Sequence, residues 1–241
     1  MLIQLENSLE TWKNKILIHA IEMESSELSY TKFTEFLSAD ELEKLNAFKF
    51  YKDRLRYSIT YHYLRVFLSK IVRSLPADVE LVTNPYGKKK LKNPAFSHIH
   101  FSLSHSSNII VYAFNQQDQL GVDVEYLDYN INYLELSEKY FSKNERAFIV
   151  EAKNLNEQVY RFYKLWTRKE AYLKAKGTGL GESLQTLDVL DDEPRFTEEN
   201  YCSSSSKDVC HLKTLHYKDH YVISVACIGQ LKDTEESFEN L

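Results

Sequence analysis

Two stretches of this chain repeat each other about 104 residues apart, and that repeat limits the folds open to it more than any other feature. FLSADELEKL at 36 is echoed by YFSKNERAFI at 140, and RYSITYHYLRVFLSK at 56 by RFYKLWTRKEAYLKA at 161. SNIIVYAF at 107 parallels HYVISVACI at 220, where an inserted loop at 191–208 lengthens the offset to 113. Each copy reads as helices followed by strands. The expected fold class is therefore α+β: two similar α/β halves, 1–119 and 120–241, forming a pseudo-dimer in one chain, with an acidic, frayed tail from about 231. The seam between such halves is a common place for a ligand.

Hydrophobic periodicity fills in the elements. KILIHAI (15–21) reads as a strand, and helices are expected after Ser38 and over 52–72. A turn falls at Asn84 to Gly87, followed by the strands HFSLS, NIIVYAF and QLGVDVEYL. Helices resume near 132–141, 143–153 and 157–176, and LQTLDVLD reads as a strand. HLKTLHYKDHYVISVACI reads as a hairpin turning near Lys218 and Asp219. Apolar residues make up 43% and charged ones 27%, which suits a globular protein with a real core. A net charge of -5 argues against nucleic acid as the main partner. The start, MLIQLENSLETWKNK, lacks a basic leader with an apolar run, and no stretch reaches the roughly 18 apolar residues of a membrane span. Cys202, Cys210 and Cys227 show no CxxC spacing, which points to a reducing cytoplasm.

Two segments carry chemistry. In GVDVE, period two places Asp123 and Glu125 on one strand face and Val122 and Val124 on the other. Close like charges repel unless a cation sits between them, and oxygen-only donors favour Mg²⁺ or Mn²⁺; the alternative is a strand with solvated acids. In LWTRKEAYLKAKGTGL, residues Trp166, Lys169, Glu170 and Lys174 span a helical sector of about 140°. Glu170 suits a third oxygen ligand and the lysines suit phosphate, although Glu170 and Lys174 are also a favourable i,i+4 pair and Trp166 suits a core. The glycines follow the helix instead of opening one, so Gly177 reads as a C-cap and not as part of a phosphate loop. Ser104 and His105 at a strand end suit a phosphate, and Ser104 lacks the G-x-S-x-G elbow of a hydrolase nucleophile.

Taken together, GVDVE at 121, FSKNE at 141 and LWTRKEAYLKAKGTGL at 165, with YGK at 86 and SLSHS at 102, resemble the 4′-phosphopantetheinyl transferases of the larger, surfactin-synthetase-activating type. The resemblance spans roughly 36–228. It implies transfer of the 4′-phosphopantetheine arm of coenzyme A to a serine of an acyl or peptidyl carrier protein, releasing adenosine 3′,5′-bisphosphate. It implies Asp123, Glu125 and Glu170 as Mg²⁺ ligands, and Lys174 beside the diphosphate as a catalytic group. Ser104, His105, Lys88, Arg56, Lys44 and Lys169 are implied as coenzyme A contacts. Glu41 stands where the family carries a further lysine. Glu170 or Glu145 would be the general base, but Ser142 to Glu145 is also a capping box, matched by Ser38 to Glu41 in the first half. The segment after Glu125, YLDYNINYLEL, is the expected carrier surface, and two halves in one chain make a monomer sufficient. The competing functions are another Mg²⁺-dependent enzyme acting on a diphosphate, or a non-catalytic binder of coenzyme A or carrier domains. The binder is disfavoured because Asp123, Glu125, Glu170 and Lys174 are all present.

Overall fold

The computed structural model describes residues 15–23, 28–177, 184–190, 210–229 and 233–240. The first half runs β1 (Lys15–Glu22), α1 (Ala39–Ala47), α2 (Tyr51–Val72), a small hairpin of β2 (Leu81–Thr83) and β3 (Lys89–Leu91), then β4 (Ile99–Ser106) and β5 (Ile109–Gln116). The second runs β6 (Gln119–Tyr126), α3 (Tyr133–Tyr140), α4 (Lys143–Val150), α5 (Leu155–Lys176), β7 (Cys210–Tyr217) and β8 (Tyr221–Ile228). In each half the last strand lies centrally, antiparallel to both the first strand and its own hairpin partner, giving orders β4-β5-β1 and β6-β8-β7. The repeat read from the sequence is thus a repeat of topology.

Strand patterning explains the layers. Ile16, Ile18 and Ala20 of β1, with Ile109, Val111 and Ala113 of β5, face Leu120, Val122 and Val124 of β6 and Tyr221, Ile223 and Val225 of β8. The opposite faces take Leu17, Ile21, Ile110 and Tyr112 against α2 in one half, and Val222 and Ala226 against α5 in the other. The order of layers is helix, sheet, sheet, helix. Because the inner strands are covered on both sides, they read as almost continuous apolar runs.

Gly121 sets how closely α5 lies on β6. A Cβ there would stand 1.9 Å from the Ala171 carbonyl oxygen and 2.4 Å from the Ala175 nitrogen. Both are backbone atoms that cannot step aside. Gly121→Ala is expected to destabilise the protein by about 3 kcal/mol or more, at or beyond the upper end of ordinary overpacking. Urea unfolding checks this, and an unchanged midpoint would show that α5 is not seated so tightly.

Both capping boxes form. Ser38 and Ser142 cap α1 and α4, and their partners Glu41 and Glu145 are buried. Each glutamate meets a cation from the long helix of its half: Arg65 on Glu41 at 2.9 Å and Lys169 on Glu145 at 2.7 Å. Positions 65 and 169 are again 104 apart. Each cation also donates to carbonyls beyond its helix, Arg65 to Val79, and Lys169 to Leu184 and Leu187. Long helix, short helix and following segment are thereby tied at one buried point in each half.

Two expectations need correction. LQTLDVLD is not a strand over its described residues; it forms a 3-10 turn, Leu184–Thr186, and then irregular chain outside any sheet. Side chains replace the ladder there: Lys169 and Arg168 take its carbonyls, and Glu145 accepts from the Val189 N–H. The acidic tail is not frayed. Asp233–Asn240 forms β9, parallel to β1 from Lys15↔Asp233 to Glu22↔Asn240, and Glu236 meets Lys213 at 3.1 Å. The second half's tail therefore joins the first half's sheet. The loop expected at 191–208 lies outside the described residues. No described helix is long and apolar enough to cross a membrane.

Candidate active site

The site forms where β4 of one half meets β6 and α5 of the other. Asp123 and Glu125 point to the α5 side of β6, while Val122 and Val124 enter the core between the sheets. Lys174 of α5 reaches Asp123 Oδ1 at 2.8 Å and Ser104 Oγ at 2.8 Å, and Ser104 donates to the same Oδ1 at 2.8 Å. Ser106 donates to Glu125 Oε2 at 2.8 Å.

Burial, and then the charge of Asp123, pushes the Glu125 carboxyl up to about 7. The same two causes raise Glu170, and Lys174 opposes the shift. The three carboxylates therefore share one electrostatic neighbourhood. Asp123 Oδ2 is buried with no hydrogen-bond partner. Among the described residues no group of three or more acidic, His or Cys side chains stands as a finished metal cage. Mg²⁺ seldom uses one; it takes one or two carboxylates and completes its shell with water and substrate phosphates. An orphaned buried oxygen and two carboxyls raised by a neighbouring acid fit such a partial shell.

A cavity of about 270 Å³ opens beside Glu170, Leu173 and Lys174, walled across from them by Tyr61, Tyr86 and Phe101. His105, accessible at the end of β4, is held below its ordinary value by partial burial, then by Arg56 and Lys174. Arg56 also pairs with Asp53 at 2.7 Å. Lys44 is exposed, its ammonium 5.8 Å from the centre of the Tyr57 ring. Lys88 lines the cavity, but its Nζ donates to the carbonyls of Leu120 (3.0 Å), Lys174 (2.6 Å) and Ala175 (3.0 Å). All three of its donors are engaged, and burial draws its pKa down to about 8. With Asn84, which donates to the Gly177 carbonyl at 3.2 Å, it closes the end of α5. Gly177 itself takes the left-handed conformation of a C-cap, φ 71°.

Two expected site residues lie elsewhere. Lys169 and Glu145 are both fully buried and paired with each other, so neither reaches the cavity. Burial raises Glu145 and lowers Lys169, and their mutual attraction opposes both shifts. Trp166 stacks on Phe162 and meets Tyr140 edge-on at the margin of the core. The sequence reading passed over Ser106, Asn84 and Tyr61. Ser106 had a visible signal, the serines of SLSHS at period two.

The geometry is that of an α+β protein whose two halves bring carboxylates and cations together at their seam. Residues 119–226 match the model of the 4′-phosphopantetheinyl transferase superfamily. The chain is 29% identical over 197 residues to 4′-phosphopantetheinyl transferase Sfp of Bacillus subtilis (strain 168), covering 80% of this chain and 83% of that protein. It is 30% identical over 195 residues to 4′-phosphopantetheinyl transferase ffp of Bacillus subtilis, with the same two coverages of 80% and 83%. It is 30% identical over 183 residues to 4′-phosphopantetheinyl transferase HetI of Nostoc sp. (strain PCC 7120 / SAG 25.82 / UTEX 2576), covering 76% of each. The chain belongs to the 4′-phosphopantetheinyl transferase superfamily.

Proposed function

We propose that this chain transfers the 4′-phosphopantetheine arm of coenzyme A to a serine hydroxyl of an apo acyl or peptidyl carrier protein, releasing adenosine 3′,5′-bisphosphate. The observation that carries the site assignment is the network on Asp123, in which one carboxylate oxygen holds Lys174 and Ser104 and the other is left buried without a partner. Asp123, Glu125 and Glu170 would hold Mg²⁺, or Mn²⁺, against the diphosphate. A cation bound there would offset charge on the bridging and non-bridging oxygens.

The chain's own side chains do the rest. Lys174, fixed by Asp123 and Ser104, places its ammonium where charge develops on the leaving oxygen. His105 lies within reach of the charges of both Arg56 and Lys174, and Arg56, His105 and Lys44 suit the outlying phosphate. Glu170 takes the proton of the attacking serine as the new O–P bond forms and the bond to the bridging oxygen breaks. Glu170 suits the part because it lines the cavity that receives the ligand. Glu145 is set aside as the base because Lys169 covers it. The enzyme acts as a monomer in the cytoplasm, its two halves meeting at one site within a single chain.

Lys174→Ala is expected to lower kcat by about 100-fold while changing coenzyme A affinity far less. A loss confined to KM would make Lys174 a ground-state contact. The reaction itself is tested by the intact mass of an apo carrier protein incubated with this protein, coenzyme A and Mg²⁺. A gain of about 340 Da that disappears with EDTA supports the transferase and its metal dependence. Coenzyme A binding with no mass gain on either acyl or peptidyl carriers would favour the non-catalytic binder.

A further inference from the structure

β6 pairs with β8 on one edge, and its other edge faces β4 without a strand-to-strand ladder. Serine hydroxyls stand in for the missing ladder. Ser102 Oγ accepts from the Val122 N–H at 3.0 Å, and Ser106 Oγ accepts from the Tyr126 N–H at 3.0 Å. The amide can only donate, so the single proton of Ser106 is directed elsewhere, and it goes to Glu125 Oε2 at 2.8 Å. The same logic governs Ser104: the Lys174 ammonium can only donate to it, so its proton goes to Asp123 Oδ1. Each of the two acids on β6 thus has one oxygen held by a β4 serine. The second oxygen of Asp123 is buried and unpartnered.

We propose that Ser106 is a positioning residue: anchored by the Tyr126 amide, it fixes one oxygen of Glu125 so that the other is presented beside Asp123 to a shared divalent cation. The inference rests on the metal reading above and adds a residue from the opposite half of the chain to that site. Serine is suited to this because one short hydroxyl both accepts from a backbone amide and donates to a carboxylate across the seam. Alanine can do neither, and threonine can do both.

Mn²⁺ alone, followed by its electron paramagnetic resonance signal, measures the site without turnover. Ser106→Ala is expected to weaken Mn²⁺ binding about 10-fold or more, the usual scale for a group that orients a metal ligand, whereas Ser106→Thr retains it. Metal-free coenzyme A binding should be the same in all three proteins. Equal Mn²⁺ affinity in the parent and Ser106→Ala overturns the inference, whatever the melting temperature does. An equal loss in the threonine variant assigns the effect to strand packing and also overturns it. A parent that binds Mn²⁺ neither alone nor in the presence of coenzyme A removes the metal reading itself, and this inference with it.

Discussion

Asp123→Ala is expected to lower carrier modification by about 100-fold or more, with the melting temperature unchanged or raised. Loss of activity alone would not separate a functional residue from a structural one; the two measurements together do. Asp123 is 4% exposed, and its neighbouring acids, Glu125 and Glu170, are pushed upward by burial and then by its charge. A buried acid that repels two neighbours is a burden on the metal-free fold, lightened by Lys174 and Ser104. Removing it relieves the repulsion and leaves Lys174 bonded to Ser104. A large fall in melting temperature would instead show that the Asp123–Ser104 contact holds the halves together. Near-normal turnover at saturating Mg²⁺ would remove Asp123 from the site altogether.

Lys169→Met is expected to have the largest effect on stability, about 3–5 kcal/mol, because it leaves Glu145 as a buried charge without its partner. For a chain of this length that is a fall of roughly 6–20 °C in melting temperature. Methionine fills much of the same volume, so the loss reports the charge and the two carbonyl contacts at Leu184 and Leu187. The double variant Lys169→Met with Glu145→Gln should recover part of the loss, since the uncompensated charge is gone. Assayed well below its melting point, Lys169→Met should turn over close to the parent rate. A rate fallen by orders of magnitude in a folded Lys169→Met protein would return Lys169 or Glu145 to the catalytic machinery.

These two variants mark where the sequence was legible and where it was not. Period two on GVDVE placed the valines and carboxylates on the correct faces, because a strand has only two faces to choose between. The capping boxes and the 104-residue spacing were equally local signals, and the two sheets share one topology. The face of α5 was harder. Its 140° sector was correct as geometry, but a sector does not say what covers each edge of it. Lys169 and Glu170 are adjacent residues about 100° apart. One turns to α4 and the segment after α5, the other to β6 and the cavity. Only the packing of distant elements separates them. β9 was missed for a related reason. Its acidic composition reads as solvated, and the open edge of β1 that receives it lies more than 200 residues away.

The matched topology of the halves also fixes a stoichiometry. At the offsets of 104 and 105 that the repeat shows, Asp123 falls on His19 or Ile18, Glu125 on Ile21 or Ala20, and Glu170 on Val66 or Arg65, none of them an acid. The first half has the same ion-pair brace as the second and none of the three acids. The symmetry of the halves is one of scaffolding only, and equilibrium dialysis should saturate at one coenzyme A per chain, not two.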